Sequence, residues 1–224
     1  QIVAADYVRA NNMIGYFLPS NIGGLYGQFN VAAAEGTAAG RYIGGRVGFA
    51  AGPFDIAVAY SQERVATGGS NLTTTSGAPV AIVANNDNYK SLNVGGSFDL
   101  GVVKIMGYVQ EEKILALKDR IYSLSANVPL GQGEIHVGGT FSKLTGGGFD
   151  NQVKKYALGY VYNLSKRTAL YSTAAIVDNE GASRISLGVP GATTVGTSGS
   201  GSAAAAPTLG GKSKGIEFGI RHFF

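Results

Sequence analysis

The sequence predicts an all-β chain, an antiparallel up-and-down β-barrel that crosses a membrane. Three observations predict it. Apolar and polar residues alternate with a period of two in one segment after another, as in strands with one greasy face. The connections alternate in length. They are a few residues long at Pro19, Gly52, Gly101, Pro129 and Ser165, whereas Val65 to Asn86 and Asp178 to Lys212 are long and polar; transmembrane barrels carry short turns at one rim and long loops at the other. Charged residues are only 14% of the chain and Gly supplies 35 of its 224 residues, which is less ionic cover than a water-facing surface carries.

Composition also excludes. No run of apolar residues is long enough for a transmembrane helix, so a bilayer can be spanned only by strands whose backbone groups pair with one another. Cys is absent and the only histidines are His136 and His222, too few ligands for a thiolate or imidazole metal centre; no cofactor is expected. The net charge is +4, with no dense Lys/Arg run, so no nucleic-acid partner is expected.

In chain order, residues 1–8 lack a clean period and read as an incoming loop. From Arg9, Ile14, Tyr16 and Leu18 oppose Arg9, Asn11 and Met13, and Pro19 to Gly23 turns the chain. Leu25, Phe29 and Val31 then oppose Tyr26, Gln28 and Asn30; after a loop at Ala34 to Gly40, Ile43, Val47 and Phe49 oppose Tyr42, Gly44 and Arg46. Beyond Ala51-Gly52-Pro53, a turn by its Gly and Pro, Phe54, Ile56, Val58 and Tyr60 oppose Asp55, Ala57, Ala59 and Ser61. Val65 to Asn86 reads as an exposed loop. Leu92, Val94 and Phe98 follow against Ser91, Asn93, Ser97 and Asp99; then Val103, Ile105 and Val109 against Lys104, Met106, Tyr108 and Gln110. A charged loop is expected around Lys113 to Lys118, before Tyr122, Leu124, Ala126 and Val128. After the turn at Pro129 to Gly133, Ile135, Val137 and Phe141 oppose Glu134, His136, Thr140 and Ser142, and Thr145 to Asp150 is expected as another loop. Tyr156, Leu158, Tyr160, Tyr162 and Leu164 form the next apolar face; Ala169 to Ile176 is a strand of ambiguous parity. Ile216, Phe218, Ile220 and Phe224 close the chain.

Strands of about eleven residues at about 3.3 Å each, tilted by roughly 40°, rise on the order of 28 Å, enough for the apolar band of such a barrel. A soluble β-sandwich needs about half that length, and its inner face would not match a second face holding Arg9, Asn11, Gln28, Asn30, Arg46, Lys104, Gln110, Asn127, His136 and Glu217. That face suits water. Tyr16, Phe17, Phe54, Phe98 and Phe224 lie beside the short turns, as an interfacial girdle does.

Four segments resemble the general-diffusion porins of Gram-negative bacteria, of the β-proteobacterial type: residues 9–16 (RANNMIGY), 41–46 (RYIGGR) with 51–53 (AGP), 162–168 (YNLSKRT) and the closing Arg221-His222-Phe223-Phe224. The resemblance implies a sixteen-stranded, homotrimeric barrel in the cell outer membrane, bounded by lipid, through which small hydrophilic solutes and ions diffuse. About eleven strands of that number are counted here, so residues 1–224 are expected to be one carboxy-terminal barrel portion, lacking the first strands and most of an inward-folded constriction loop.

Such a channel performs no bond chemistry; charge on its wall sets its selectivity. Arg9, Arg46, Lys104 and Arg221 are the candidate pore-lining cations, with Asp55, Asp99, Glu134 and Glu217 as counter-charges, and Arg9 and Arg46 imply a weak anion preference. Arg221 and Glu217 are expected near the short-turn mouth as wall-fixing partners. The alternatives are a soluble or surface-attached β-sandwich for adhesion, and an outer-membrane hydrolase. The hydrolase fails on spacing, because His136 and Ser142 are about 20 Å apart along a strand.

Overall fold

The computed structural model of the 224-residue chain describes residues 12–20, 22–34, 40–65, 72–73, 79–80, 87–187 and 207–224. Its strands are β1 (Met13–Phe17), β2 (Leu25–Ala32), β3 (Tyr42–Ala51), β4 (Phe54–Val65), β5 (Leu72–Thr73), β6 (Pro79–Val80), β7 (Asp87–Asp99), β8 (Lys104–Ile114), β9 (Leu117–Leu130), β10 (Gly133–Gly146), β11 (Phe149–Asn163), β12 (Thr168–Glu180) and β13 (Lys212–His222). Eleven of them form one sheet in the order β1-β2-β3-β4-β7-β8-β9-β10-β11-β12-β13, each antiparallel to its neighbours, and β5 pairs only with β6. The sheet is open, with β1 and β13 at its edges.

Residues directly opposite in an antiparallel ladder share a face, so register assigns every side chain. On one face Val47 sits opposite Val58, Val58 opposite Val94, Val94 opposite Val109, and Val109 opposite Tyr122. The same face continues through Val137 and Leu158 to Ala174 and Ile216. These side chains are exposed, Leu124 at 65% and Phe218 at 74%. No second sheet of comparable size exists among the described residues, so the apolar side chains do not interleave in a sandwich core. A soluble monomer rarely exposes so continuous an apolar surface.

The short-turn rim is built as the sequence indicates. At Asp99, the side-chain Oδ1 accepts a 2.8 Å bond from the Gly101 N–H and the Leu100 N–H donates to the Val103 carbonyl at 2.9 Å. Ser165 Oγ accepts from the Arg167 and Thr168 N–H groups at 3.2 and 3.1 Å, the local bonding that lets Ser hold a turn. The closing strand is tied in where the Phe223 N–H donates to the Arg167 carbonyl at 2.9 Å.

The other rim differs from expectation. Lys113 and Lys118 are not loop residues: they pair across β8 and β9, leaving a turn at Leu115 and Ala116. Thr145 and Asp150 likewise pair across β10 and β11, around Gly147 and Gly148. Charge at these positions mimics a loop, but long-range pairing decides where a strand ends. The segment Val65 to Asn86 contains the β5/β6 hairpin, and β12 runs on to Glu180, with Asp178 paired to Lys212. Phe17, expected in the outer girdle, shares the opposite face with Gln28.

The two tight hairpins touch. Gly146 has φ +95°, and a Cβ there would lie 1.8 Å from the Ala116 carbonyl oxygen. Gly148 is also left-handed, at φ +86°, but open space surrounds it. Gly148→Ala is expected to cost about 1–2 kcal/mol from backbone conformation alone. Gly146→Ala adds a backbone collision and is expected to cost about 3 kcal/mol or more. Urea unfolding of the two variants measures the difference.

Candidate functional site

The polar face of the sheet carries the candidate residues. Arg46 sits opposite Gln28 and Ala59, near the middle of β3. Its guanidinium lies 5.7 Å from the centre of the Tyr26 ring, and the Tyr26 hydroxyl donates to Asp55 Oδ1. Stacking on an aromatic face orients a guanidinium without removing its charge. Gly48 makes room for this arrangement, since a Cβ there would come within 2.3 Å of the Tyr26 ring. Tyr26 and Gly48 were not singled out from sequence; a Tyr and a Gly from different strands become partners only once register is set.

Around Arg46 the wall is rich in neutral polar groups. A hollow of about 280 Å³ is lined by Gln28, Asn30, Tyr42, Arg46, Asn93 and Gln110, among others. Asn93 Nδ2 donates to Gln110 Oε1 at 3.4 Å, and Gln110 Nε2 donates onward to Glu112 Oε1. Glu112 and Asp119 are opposite one another and both 0% exposed. Ser142 Oγ donates to Asp119 Oδ1 at 2.8 Å. These acids are withdrawn from the water-facing wall. They lie with Tyr89, Ile114, Leu117, Ile121, Leu144, Val153 and Val177, all buried on the polar face toward the long-loop rim. The inner face is therefore packed at that rim. Alternation at strand ends does not reveal it.

The other candidates spread along the same face. Lys104 is opposite Asp99 and Asn127 beside the short turns. Glu134 is opposite Val161, and its Oε1 is 3.5 Å from His136 Nε2. Ser142 is bonded elsewhere, so His136 and Ser142 make no pair. Arg221 is opposite Ala169, with its guanidinium 5.4 Å from the Phe223 ring centre. It lines a broad hollow of about 870 Å³ with Asn127, His136, Tyr171 and Thr173. Glu217, expected near the short-turn mouth, sits opposite Thr173 at the midpoint of β13. Arg9 lies outside the described residues. Lys155, opposite Thr140 and Val177, is an exposed inner-face cation that sequence reasoning passed over.

Among the described strand residues, Arg46, Lys104, Lys155 and Arg221 share the inner face with Asp55, Glu63, Asp87, Asp99, Glu112, Asp119, Glu134 and Glu217. The wall as a whole is thus not basic. Arg46 and Glu217 lie at the midpoints of β3 and β13, whereas Lys155 is level with the buried Val177, toward the long-loop rim.

Comparison with known proteins gives concordant results. The family profile of Gram-negative porins matches residues 3–182. The outer membrane porin protein 32 of Delftia acidovorans is 33% identical over 229 residues, an alignment covering 97% of this chain and 57% of that relative. The chain therefore spans little more than half the length of this curated relative. Among solved structures, in-vitro folded OmpT of Vibrio cholerae superposes with a TM-score of 0.63 at 14% identity, over 95% of this chain and 64% of that one. Its trimer form gives 0.62 at 15% identity, with the same coverage. Salmonella typhi OmpF in complex with daunomycin gives 0.61 at 12% identity, over 95% and 62%. At these identities the structural likeness concerns the fold.

Proposed function

Because this chain belongs to the Gram-negative porin family, we propose that it forms the wall of a water-filled outer-membrane channel for passive diffusion of small hydrophilic solutes and ions. The observation that carries the reading is the division of one sheet into two faces: continuous exposed apolar side chains on one, amides, hydroxyls and charges on the other. Hydrocarbon covers the first and water the second. Enclosing a lumen requires strands that pair with the free edges of β1 and β13. Three such barrels associate as a homotrimer, a reading supported by family membership and by the trimer form of the Vibrio OmpT fold.

Selectivity is weakly anionic. Arg46 at the midpoint of β3 and Lys155 toward the long-loop rim are exposed inner-face cations, and at that rim Glu112 and Asp119 are buried, while Lys104, Asp99, Glu134 and Arg221 lie toward the short-turn mouth, where counter-charges alternate. Planar-bilayer recordings of the folded protein test the proposal. Stepwise ohmic conductance is expected, with a reversal potential on the anion side in a salt gradient. Absence of steps overturns the channel, and a cation-side potential overturns the selectivity.

A further inference from the structure

Tyr171 and Gly219 are directly opposite one another across β12 and β13, and Arg221 stands two residues further along β13 on the same face. A Cβ at Gly219 would collide with the Tyr171 ring, so the half-buried ring lies flat against the wall over the glycine, with its other face toward the inner side of the sheet. The same three residue types meet at Tyr26, Gly48 and Arg46. There the guanidinium covers the ring, 5.7 Å from its centre. At Tyr171 it does not, because Arg221 lies instead beside Phe223, 5.4 Å from that ring's centre. Arg221 is exposed and has no ion-pair partner among the described residues. An open aromatic face thus stands beside a guanidinium that no carboxylate neutralises.

Register builds the rest of the hollow in front of that ring. Asn127 is opposite His136, His136 opposite Gly159, and Gly159 opposite Thr173. From β10 to β12 this row spans two strand spacings, about 10 Å, and its middle position carries no side chain. The neighbouring row adds Gly138 opposite Ala157. A floor of small residues therefore separates Tyr171, Thr173 and Arg221 on one side from Asn127 and His136 on the other, within the hollow of about 870 Å³. No carboxylate lines it: Glu134, 3.5 Å from His136, and Glu217, opposite Thr173, both stand outside.

A flat floor, an open ring face and one unneutralised guanidinium suit a ligand with a flat ring and a single negative charge. We propose that this hollow is a binding site for aromatic carboxylates. The ligand ring lies over Gly159 and stacks on Tyr171, and its carboxylate accepts paired hydrogen bonds from Arg221. Asn127 and Thr173 offer an amide and a hydroxyl to polar substituents on the ring. A small inorganic anion would use Arg221 alone and gain nothing from the floor. Arg46 offers an anion charge without a stacking surface, because its own guanidinium occupies the Tyr26 ring. The inference deepens the channel reading and rests on the inner face being in water.

Saturation-transfer NMR titrations of the detergent-folded protein with benzoate, cyclohexanecarboxylate and acetate test it, with protein-free micelles as the blank. Benzoate is expected to bind about fivefold more tightly than cyclohexanecarboxylate, which has the charge and the bulk without the π face, and about tenfold or more above acetate. Tyr171→Leu weakens benzoate about fivefold and leaves acetate unchanged; Arg221→Gln weakens benzoate about tenfold or more. Gly159→Leu abolishes benzoate binding by filling the hollow, from a position where a Cβ meets nothing closer than Thr173 Oγ1 at 3.5 Å, so the backbone need not move. Tyr108→Leu removes an inner-face ring outside the hollow, opposite Gly95 and Ser123, and leaves benzoate binding unchanged. Equal affinity for benzoate and acetate, or wild-type benzoate affinity in either Tyr171→Leu or Gly159→Leu, overturns the proposal. Planar-bilayer conductance is recorded in parallel: if channels open and the three acids bind alike, this inference fails while the channel stands, and if the acids are discriminated and no channel opens, the binding site stands while the channel fails.

Discussion

Leu124→Arg is expected to destabilise the folded protein in a lipid bilayer by about 2–4 kcal/mol, while Ser125→Arg, the adjacent residue, costs less than about 1 kcal/mol. Leu124 lies near the middle of β9, opposite Gly107 and Gly139 on the outward face, and is 65% exposed. In water such a position tolerates Arg, because an exposed side chain loses little packing and the guanidinium stays hydrated. In hydrocarbon it does not, since no neighbouring group hydrates the charge. Ser125 points to the other face, opposite Met106 and Gly138, where a guanidinium remains in water. Urea unfolding from phospholipid vesicles, followed by tyrosine fluorescence because the chain has no Trp, gives both values. Equal costs for the two variants would refute the assignment of faces to lipid and water.

Reversing Arg46 is expected to produce the largest change in selectivity. An ion passing about 7 Å from the guanidinium in water interacts by about 0.6 kcal/mol, and Arg46→Glu changes the wall by two charges, so anions and cations shift by about 1.2 kcal/mol each in opposite senses and the local anion-to-cation balance by about 2.4 kcal/mol, or about sixtyfold before screening. The reversal potential in a salt gradient moves to the cation side. Lys90→Glu, the same charge change on the outward face, leaves it in place because the sheet and the lipid separate that residue from the lumen. Tyr26→Leu removes the ring under the guanidinium and produces a smaller shift in the same direction, as Arg46 keeps its charge but loses its orientation. A wild-type-like potential in Arg46→Glu would show that mid-height charge does not govern the path.

Much of this architecture is legible in the residue pattern. Period-2 alternation assigns Val47, Val58, Val94 and Val109 to one face and Arg46, Asn93 and Gln110 to the other, and the ladders keep them there. Where the pattern misleads, the cause is consistent. Lys113, Lys118, Thr145 and Asp150 look like loop residues because they put polar groups on the face that is apolar along the rest of each strand, while the apolar Ile114, Leu117 and Leu144 are buried on the other face; there the outward face has passed the apolar band, and the strands continue. Glu217 was misplaced because height along the wall depends on where a strand meets its partner, and its neighbour Thr173 belongs to a strand whose own parity is ambiguous in the sequence.

Residue order is enough to establish that the chain is stranded, which side chains share a face, and that one of those faces is too apolar for water. These are local properties, carried by alternate Cβ directions along each extended segment. Tertiary structure alone decided that Tyr26 lies beneath Arg46, that Glu112 and Asp119 are buried together, and that Lys90, Lys113 and Lys118 stand in one row. Those contacts depend on the offset between neighbouring strands, and the offset is set by turn lengths and by pairing along the whole ladder rather than by any one segment.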